Sequence, residues 1–379
     1  MSYTKECIMN TEKINRRMQE LTDSGEMAAG TLMISQNHTC IFQGKWGYMN
    51  QEKMIPVQYD TIFRIMSMTK VLTAAGVMKL YEEHKIGLDD EVVKYIPEYG
   101  NMMVCQPDGT EVKAIRELTI RDLLTHSSGI GMSMESDRKL DELSNVEDQI
   151  KDRVLRWSSV PLDFQPGTKT GYSPKANFDI LAYIIEFVSG MSFEQYMKKF
   201  VFMPLEMTDT CFHLNNMQEE RLMQLYKTVD GKYINVTGSE LDVNRFAKIG
   251  SHYTCGSGGA YSTVMDYHKF TEMLCNEGCY NGMQILKPET VRAMYTEMAY
   301  EHPIEIPGLE WGLGVRVRKD PDKAGSHAYR GTYGWSGAFG THMFVSPEQR
   351  LAVTFMMNRE NIGGADSYII DELEALICE

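Results

Sequence analysis

Ser67 and Lys70 stand three residues apart in Ser67-Met68-Thr69-Lys70, at the head of a mostly apolar run from Val71 to Tyr81. A run that is apolar on every side predicts a buried helix. At that spacing both side chains leave one face within a single turn. A hydroxyl and an amine are then expected together, in dry surroundings, where the helix dipole is positive. A serine hydroxyl is a poor nucleophile until an adjacent base takes its proton. A lysine can be that base when desolvation or a nearby positive field draws its pKa toward neutrality. Four-residue patterns recur by chance, and a solvated serine beside a lysine stem spells the same letters. The rest of the chain must decide between the two.

The totals narrow the field. The 379 residues are 43% hydrophobic and 24% charged, an ordinary globular composition. That length predicts two domains, or one large domain with an insertion, around a substantial core. A net charge of -14 argues against a nucleic-acid partner and against an anionic membrane surface. The first 25 residues carry charges throughout and no apolar core of a secretory signal, and no later run reaches membrane-spanning length. Eight scattered cysteines without a C-x-x-C pair, alongside 28 methionines, predict a reduced, cytoplasmic chain. The nine histidines lack H-x-H and H-E-x-x-H spacings, so neither a metal nor another cofactor is expected.

These residues need elements to hold them. Residues 8–22 read as a helix, then Ala28 to Ser35 and Thr39 to Trp46 as two strands joined by a Gln36-Asn37-His38 turn. Tyr48 to Tyr59 reads as irregular. Leu118 to Leu124, capped by Thr119, runs into His126-Ser127-Ser128-Gly129. The acidic stretch 131–153 is amphipathic and predicts a surface helix or a mobile cap that could shape a pocket. Beyond the Gln165-Pro166-Gly167 turn, an apolar helix is expected from Phe178 to Val188, stopped by Gly190, and another from the Ser192 cap. Gly256 to Ser262 reads as a flexible loop before a helix from Val264 to Leu274. Leu313 to Val317, Gly340 to Val345 and Leu351 to Met357 read as strands, and Asp366 to Ile377 as a closing helix. Strands at both ends with helices between them predict an α+β fold. An antiparallel sheet of terminal strands (residues 1–65 and 250–379) is flanked by helices, with a mostly helical domain (66–249) inserted and the site between the two.

Several segments together resemble one family. They are Ser67 to Lys70, Leu118 to Ile130 (LTIRDLLTHSSGI), Gln165-Pro166-Gly167 ahead of Tyr172-Ser173, Pro204 to Thr210 (PLEMTDT), and the late glycine-rich segment. In order and context they resemble the serine β-lactamase and penicillin-binding-protein superfamily, and within it the class C branch with its related esterases. The likeness runs from about Ser35 to the carboxyl end. It implies Ser67 as the acylated nucleophile, Lys70 as its partner base, and Tyr172 as a phenol sharing the proton traffic.

Two departures matter. Where the family often has Tyr-x-Asn, this chain has Tyr172-Ser173-Pro174, and proline offers no side-chain donor and no backbone N–H. Lys169-Thr170-Gly171 spells the family's K-T-G triplet but precedes Tyr172, with no strand after it, so it is read as a decoy. The expected element is a late edge strand carrying Trp335-Ser336-Gly337, similar to the W-x-G form of esterase and transesterase members. By that match Trp335, Ser336 and Gly337 contact substrate, and the N–H groups of Ser67 and Ala338 form an oxyanion hole. Tryptophan in place of lysine removes a cation that meets the substrate carboxylate in β-lactamases, which favours neutral acyl groups.

Other candidates are weaker. Gly334-Trp335-Ser336-Gly337 misses the G-x-S-x-G elbow by one place. His126 in a THSSG segment reads as a structural side chain bonding its loop. Glycines 256–262 lack the Lys-Ser/Thr of a phosphate loop. No class A deacylating glutamate motif is recognisable. The expectation is a serine hydrolase that forms a covalent acyl-enzyme on a small-molecule acyl ester or amide, first as a carboxylesterase. A β-lactamase or D-amino-acid peptidase is the alternative within the fold, and a catalytically silent binding protein the alternative outside it. Acyl-chain length and oligomeric state have no sequence signal.

Overall fold

The computed structural model describes residues 9–145, 147–229, 232–239, 253–297 and 306–379. Its organising sheet starts with a tight hairpin. Strand β1 (Ala29–Gln36) turns through Asn37 and His38 into β2 (Thr39–Asn50). Both turn residues have positive φ, 50° and 62°, the geometry whose twist matches the strands it joins. β2 runs on to Asn50 and pairs with β3 (Ile55–Pro56), so the stretch from Tyr48 that reads as irregular in the sequence is partly sheet.

The late chain supplies β4 (Leu309–Trp311), β5 (Arg316–Arg318), β6 (Tyr333–Ser336), β7 (His342–Ser346) and β8 (Leu351–Met356). The eight strands lie in the order β4-β5-β6-β7-β8-β1-β2-β3, antiparallel throughout. The two ends of the chain meet where β1 pairs with β8, from Thr31 opposite Met356 to Gln36 opposite Leu351. The single strand expected over Leu313 to Val317 is instead a turn followed by β5. Gly314 at φ 84° and a bond from Gly312 N to Val315 O bend the chain there.

Helices α1 (Thr11–Asp23), α2 (Thr69–Glu82), α3 (Ala176–Ser189), α4 (Val264–Cys275) and α5 (Tyr368–Cys378) matter most for the site. Side chains alternate between the sheet faces. Leu32, Ile34, Phe344, Val353 and Phe355 face α1 and α5, meeting Ile14, Met18, Ile369 and Leu373. Met343, Val345 and Met356 face the other way into a larger core shared with α2, α3 and α4. α4 is pinned to this face by His268, which bonds Ser35 Oγ at 2.8 Å and Thr354 Oγ1 at 3.0 Å.

The strands come from residues 29–56 and 309–356, and the helices that enclose α2 come from between them. The expected boundary at 249/250 lies outside the described residues. α2 is buried on every side, as its composition predicts. Gly76 lets it close on its neighbours, since a Cβ there would come within 2.8 Å of Met197 Sδ. The acidic stretch forms two helices, Met134–Glu142 and Ile150–Trp157, docked through Leu140, Val154 and Trp157. Lys175 ties the first of them down, bonding Asp137 at 2.9 Å and Asp141 at 2.6 Å. Among the described residues, none of this stretch lines the cavity that holds Ser67.

Candidate active site

Ser67 occupies a single 3-10 turn, Met66–Met68, that feeds directly into α2. Met66 holds φ at 49°, a strained value for a residue with a side chain, immediately before the hydroxyl. The turn is anchored from behind: Tyr267 donates to Met68 O at 2.8 Å, and Thr69 Oγ1 accepts from Ala260 N at 3.1 Å.

Lys70, 1% exposed, sits one turn on. Its Nζ bonds Pro174 O and Ser257 O, each at 2.8 Å, and lies 3.3 Å from Ser67 Oγ. The two carbonyls take two hydrogens, and the third valence of the nitrogen points at the serine. The sequence presents Pro174 as a lost donor; the structure uses its carbonyl as an acceptor. Tyr172 closes the group, its hydroxyl 2.8 Å from Ser67 Oγ. Lys70 Nζ stands 5.1 Å from the centre of the Tyr172 ring. Trp335 Nε1–H donates to the Tyr172 hydroxyl at 3.3 Å, and Trp311 stacks on the ring at 5.8 Å.

Trp335 and Ser336 end β6, and here one expectation is corrected. β6 is an interior strand: β5 pairs with it at Tyr333 and Gly334, and only its last two residues project past β5. That overhang, rather than a free edge, exposes Trp335 and Ser336 to the cavity. Gly337 follows, where a Cβ would strike Ile65 O and Thr341 Oγ1. Only glycine lets the strand end lie against the chain that leads into Ser67. The turn bonds Gly337 N to Thr341 O (2.7 Å) and Gly340 N to Gly337 O (3.0 Å). Ala338 lies between them and lines the cavity with Ser67.

The cavity measures about 460 Å³ and is also lined by Thr170, Leu309, Trp311, Arg316 and Ile362. Arg316 lies over the Trp335 ring, 4.9 Å from its centre. The cation that sequence reading removes at position 335 thus has a counterpart on β5. Thr170 reaches the cavity wall from a loop, while Lys169 turns to the Phe164 ring at 4.8 Å, so that triplet supplies no strand.

His126 is fully buried against Trp311, Tyr172 and Phe178, with ring centres 4.4, 4.8 and 5.4 Å away. Its Nδ1 accepts from Ser173 N at 3.1 Å and so ties down the chain beside Tyr172. Burial, helped by the charge of Lys70, holds the imidazole well below its usual range, which keeps it neutral.

Asp179 is a functional candidate that the motifs do not reveal. It lies in the first turn of α3, 1% exposed, and accepts from Ser257 N at 2.9 Å and from the Tyr253 hydroxyl. Burial raises its carboxyl pKa against the opposing pull of Tyr253, Ser257, Cys255 and Lys70. The available signal was an aspartate at the head of a mostly apolar helix, from Phe178 to Val188.

Comparison with known proteins follows the same lines. The model of the Beta-lactamase family matches residues 14–374. An uncharacterized protein of Mycobacterium tuberculosis strain CDC 1551 is 29% identical, covering 92% of this chain and 90% of its own. A protein of Escherichia coli strain K12, named as a candidate D-alanyl-D-alanine carboxypeptidase, is 27% identical over 94% of this chain and 85% of its own. Among solved structures, EstCE1, described as a hydrolase with promiscuous acyltransferase activity, superposes with a TM-score of 0.83 at 21% identity, over 97% of this chain and 98% of its own. Simvastatin synthase from Aspergillus terreus superposes with a TM-score of 0.79 at 19% identity, over 97% of both chains. At those identities the two structures speak to the fold.

Proposed function

The chain belongs to the beta-lactamase family of serine hydrolases, and from that premise we propose that it is a carboxylesterase acting on small acyl esters through an acyl-enzyme on Ser67. The observation that carries the reading is the convergence of Tyr172 Oη, at 2.8 Å, and Lys70 Nζ, at 3.3 Å, on Ser67 Oγ inside a cavity walled by Trp311, Trp335 and Leu309.

Ser67 Oγ attacks the ester carbonyl, and its proton leaves along the Lys70–Tyr172 pair as the new C–O bond forms. When it takes part as a neutral amine, Lys70 keeps two hydrogens on Pro174 O and Ser257 O and its lone pair receives that proton. The Tyr172 hydroxyl, held by the Trp335 indole, returns a proton to the departing alkoxide as its C–O bond breaks. The N–H groups of Ser67 and Ala338 are assigned to the carbonyl oxygen as it gains charge. Water then enters where the alcohol left and attacks the acyl carbonyl while giving a proton to the same pair; the Ser67 Oγ–C bond breaks, the pair returns that proton to Ser67 Oγ, and the acid leaves. An alcohol in place of that water would give acyl transfer instead.

A second reading, a peptidase for D-amino-acid substrates, draws on Arg316 in the cavity wall and on the name of the Escherichia coli relative. One panel separates the two. The native protein and Ser67→Ala are treated with a fluorophosphonate, then assayed on short-chain p-nitrophenyl esters, nitrocefin and a D-alanyl-D-alanine peptide. Labelling of native protein only, with esters the best substrates, is expected. Faster turnover of the peptide or of nitrocefin would replace the esterase reading, and labelling of the Ser67→Ala protein would remove the nucleophile.

A further inference from the structure

Ser336 lines the cavity, and the hydrogen of its hydroxyl is already committed. Ser336 Oγ lies 2.8 Å from His342 Nδ1, and His342 Nε2 lies 3.1 Å from Glu374 Oε1. The Arg318 guanidinium closes on the same carboxylate oxygen. The four residues come from β6, β7, α5 and β5, and all are buried.

The direction of each bond follows from what each group can give. Glu374 is ionised beside Arg318, its carboxyl held down at about 2 despite burial. A carboxylate has no hydrogen to donate, so His342 Nε2 must carry one. Burial lowers the His342 pKa, and the positive charges of Arg318 and Arg316 act the same way against the pull of Glu374, so the ring is neutral. A neutral imidazole with hydrogen on Nε2 has a bare Nδ1. The Ser336 O–H therefore donates inward, and what its oxygen has left to offer is lone pairs.

We propose that the chain Arg318–Glu374–His342 fixes Ser336 as a hydrogen-bond acceptor on the cavity wall, and that the protein therefore selects acyl esters carrying an N–H or O–H donor close to the scissile carbonyl. The selection rests on the esterase reading; the hydrogen-bond direction does not. An acceptor oxygen also repels a substrate carboxylate at that place, where a hydroxyl free to donate would hold one. Ser336 is then the specificity-determining residue, and His342, Glu374 and Arg318 position it.

The test compares p-nitrophenyl esters of N-acetylglycine and N-acetyl-N-methylglycine, which differ by one N–H. In the native protein kcat/KM is expected to favour the N–H ester by about 10-fold, the scale of one hydrogen bond gained or left unmade. Ser336→Ala should collapse that ratio toward unity, and Ser336→Thr should keep it. An unchanged ratio in Ser336→Ala, or no preference in the native protein, overturns the proposal. Nitrogen-15 NMR of the unmutated chain, with the ring assigned through His342→Asn, reads the hydrogen directly. The Nε2–H form is expected, and an Nδ1–H or doubly protonated ring overturns the proposal whatever the kinetics. If neither ester turns over, the esterase reading fails by itself. Protection of Ser67 from a fluorophosphonate by the two corresponding amides then reads the same preference.

Discussion

Asp179 and Lys70 are joined through one residue: Ser257 donates its N–H to the Asp179 carboxylate at 2.9 Å and receives Lys70 Nζ on its carbonyl at 2.8 Å. The residue that aims the lysine is thus itself held by a buried acid. Asp179→Asn keeps the shape but weakens that hold and removes a charge near Lys70. The expected outcome is a fall in kcat of about 10- to 100-fold with KM little changed, as for a positioning partner. The pH profile of kcat should shift as well, which a merely structural residue would not cause. Wild-type kcat and profile in Asp179→Asn would refute the role.

Under the proposed mechanism Lys70 and Tyr172 act on one proton, so their losses should not add. Lys70→Ala and Tyr172→Phe are each expected to lower kcat/KM on p-nitrophenyl butyrate by about 1,000-fold or more, and the double variant by little beyond the worse single. Additive losses, measured as a double-mutant cycle, would show that the two groups serve separate steps.

Gly337 is where β6 lies closest to the chain entering Ser67. In Gly337→Ala the new methyl meets Ile65 O and Thr341 Oγ1, and Thr341 Oγ1 already donates to Ile65 O at 2.9 Å. Separating these segments moves Ala338 and Ser67 apart. Esterase activity should fall by about 100-fold, the scale seen when one oxyanion donor is lost. Overpacking should cost about 1–3 kcal/mol by urea unfolding. Retained activity would show that Ala338 does not serve the oxyanion.

Buried neutral histidines set the acid side of stability. Burial lowers His268 to about 3, and His126 and His342 are also held below the usual imidazole range. Each takes up a proton on unfolding once the pH drops below about 6.5, the unfolded value. The folded state does not, so stability present near pH 7 is lost progressively as pH falls. His268 alone should remove about 2 kcal/mol between pH 6.5 and 4.5. Glu374, depressed to about 2, acts in the same direction below about pH 4.3. Urea midpoints at pH 8, 6 and 4.5 should decline in that order; a flat series would show that these rings are already charged in the folded protein.

How much of this was legible in the sequence depends on where each signal lies. α2 was readable because an all-apolar run can only be buried, and the β1–β2 turn because two polar residues separate alternating strands. Order and context singled out Ser67, Lys70 and Tyr172, whose side chains the structure brings together. The Pro174 and Ser257 carbonyls were not, since a backbone oxygen has no letter of its own. Arg318, His342 and Glu374 meet only through the sheet and α5, and no spacing in the chain announces a contact between them. Strand β5 began later than expected because Gly312 and Gly314 shape a turn that apolar content alone conceals.

The indole of Trp335 against the Tyr172 hydroxyl, with Trp311 4.5 Å from it ring to ring, has a practical consequence. Two of the four tryptophans in the chain border the place where an acyl group would be loaded. The molecule therefore carries its own optical gauge, and intrinsic emission followed in a stopped-flow mixer should trace the loading and clearing of Ser67 without a chromogenic leaving group.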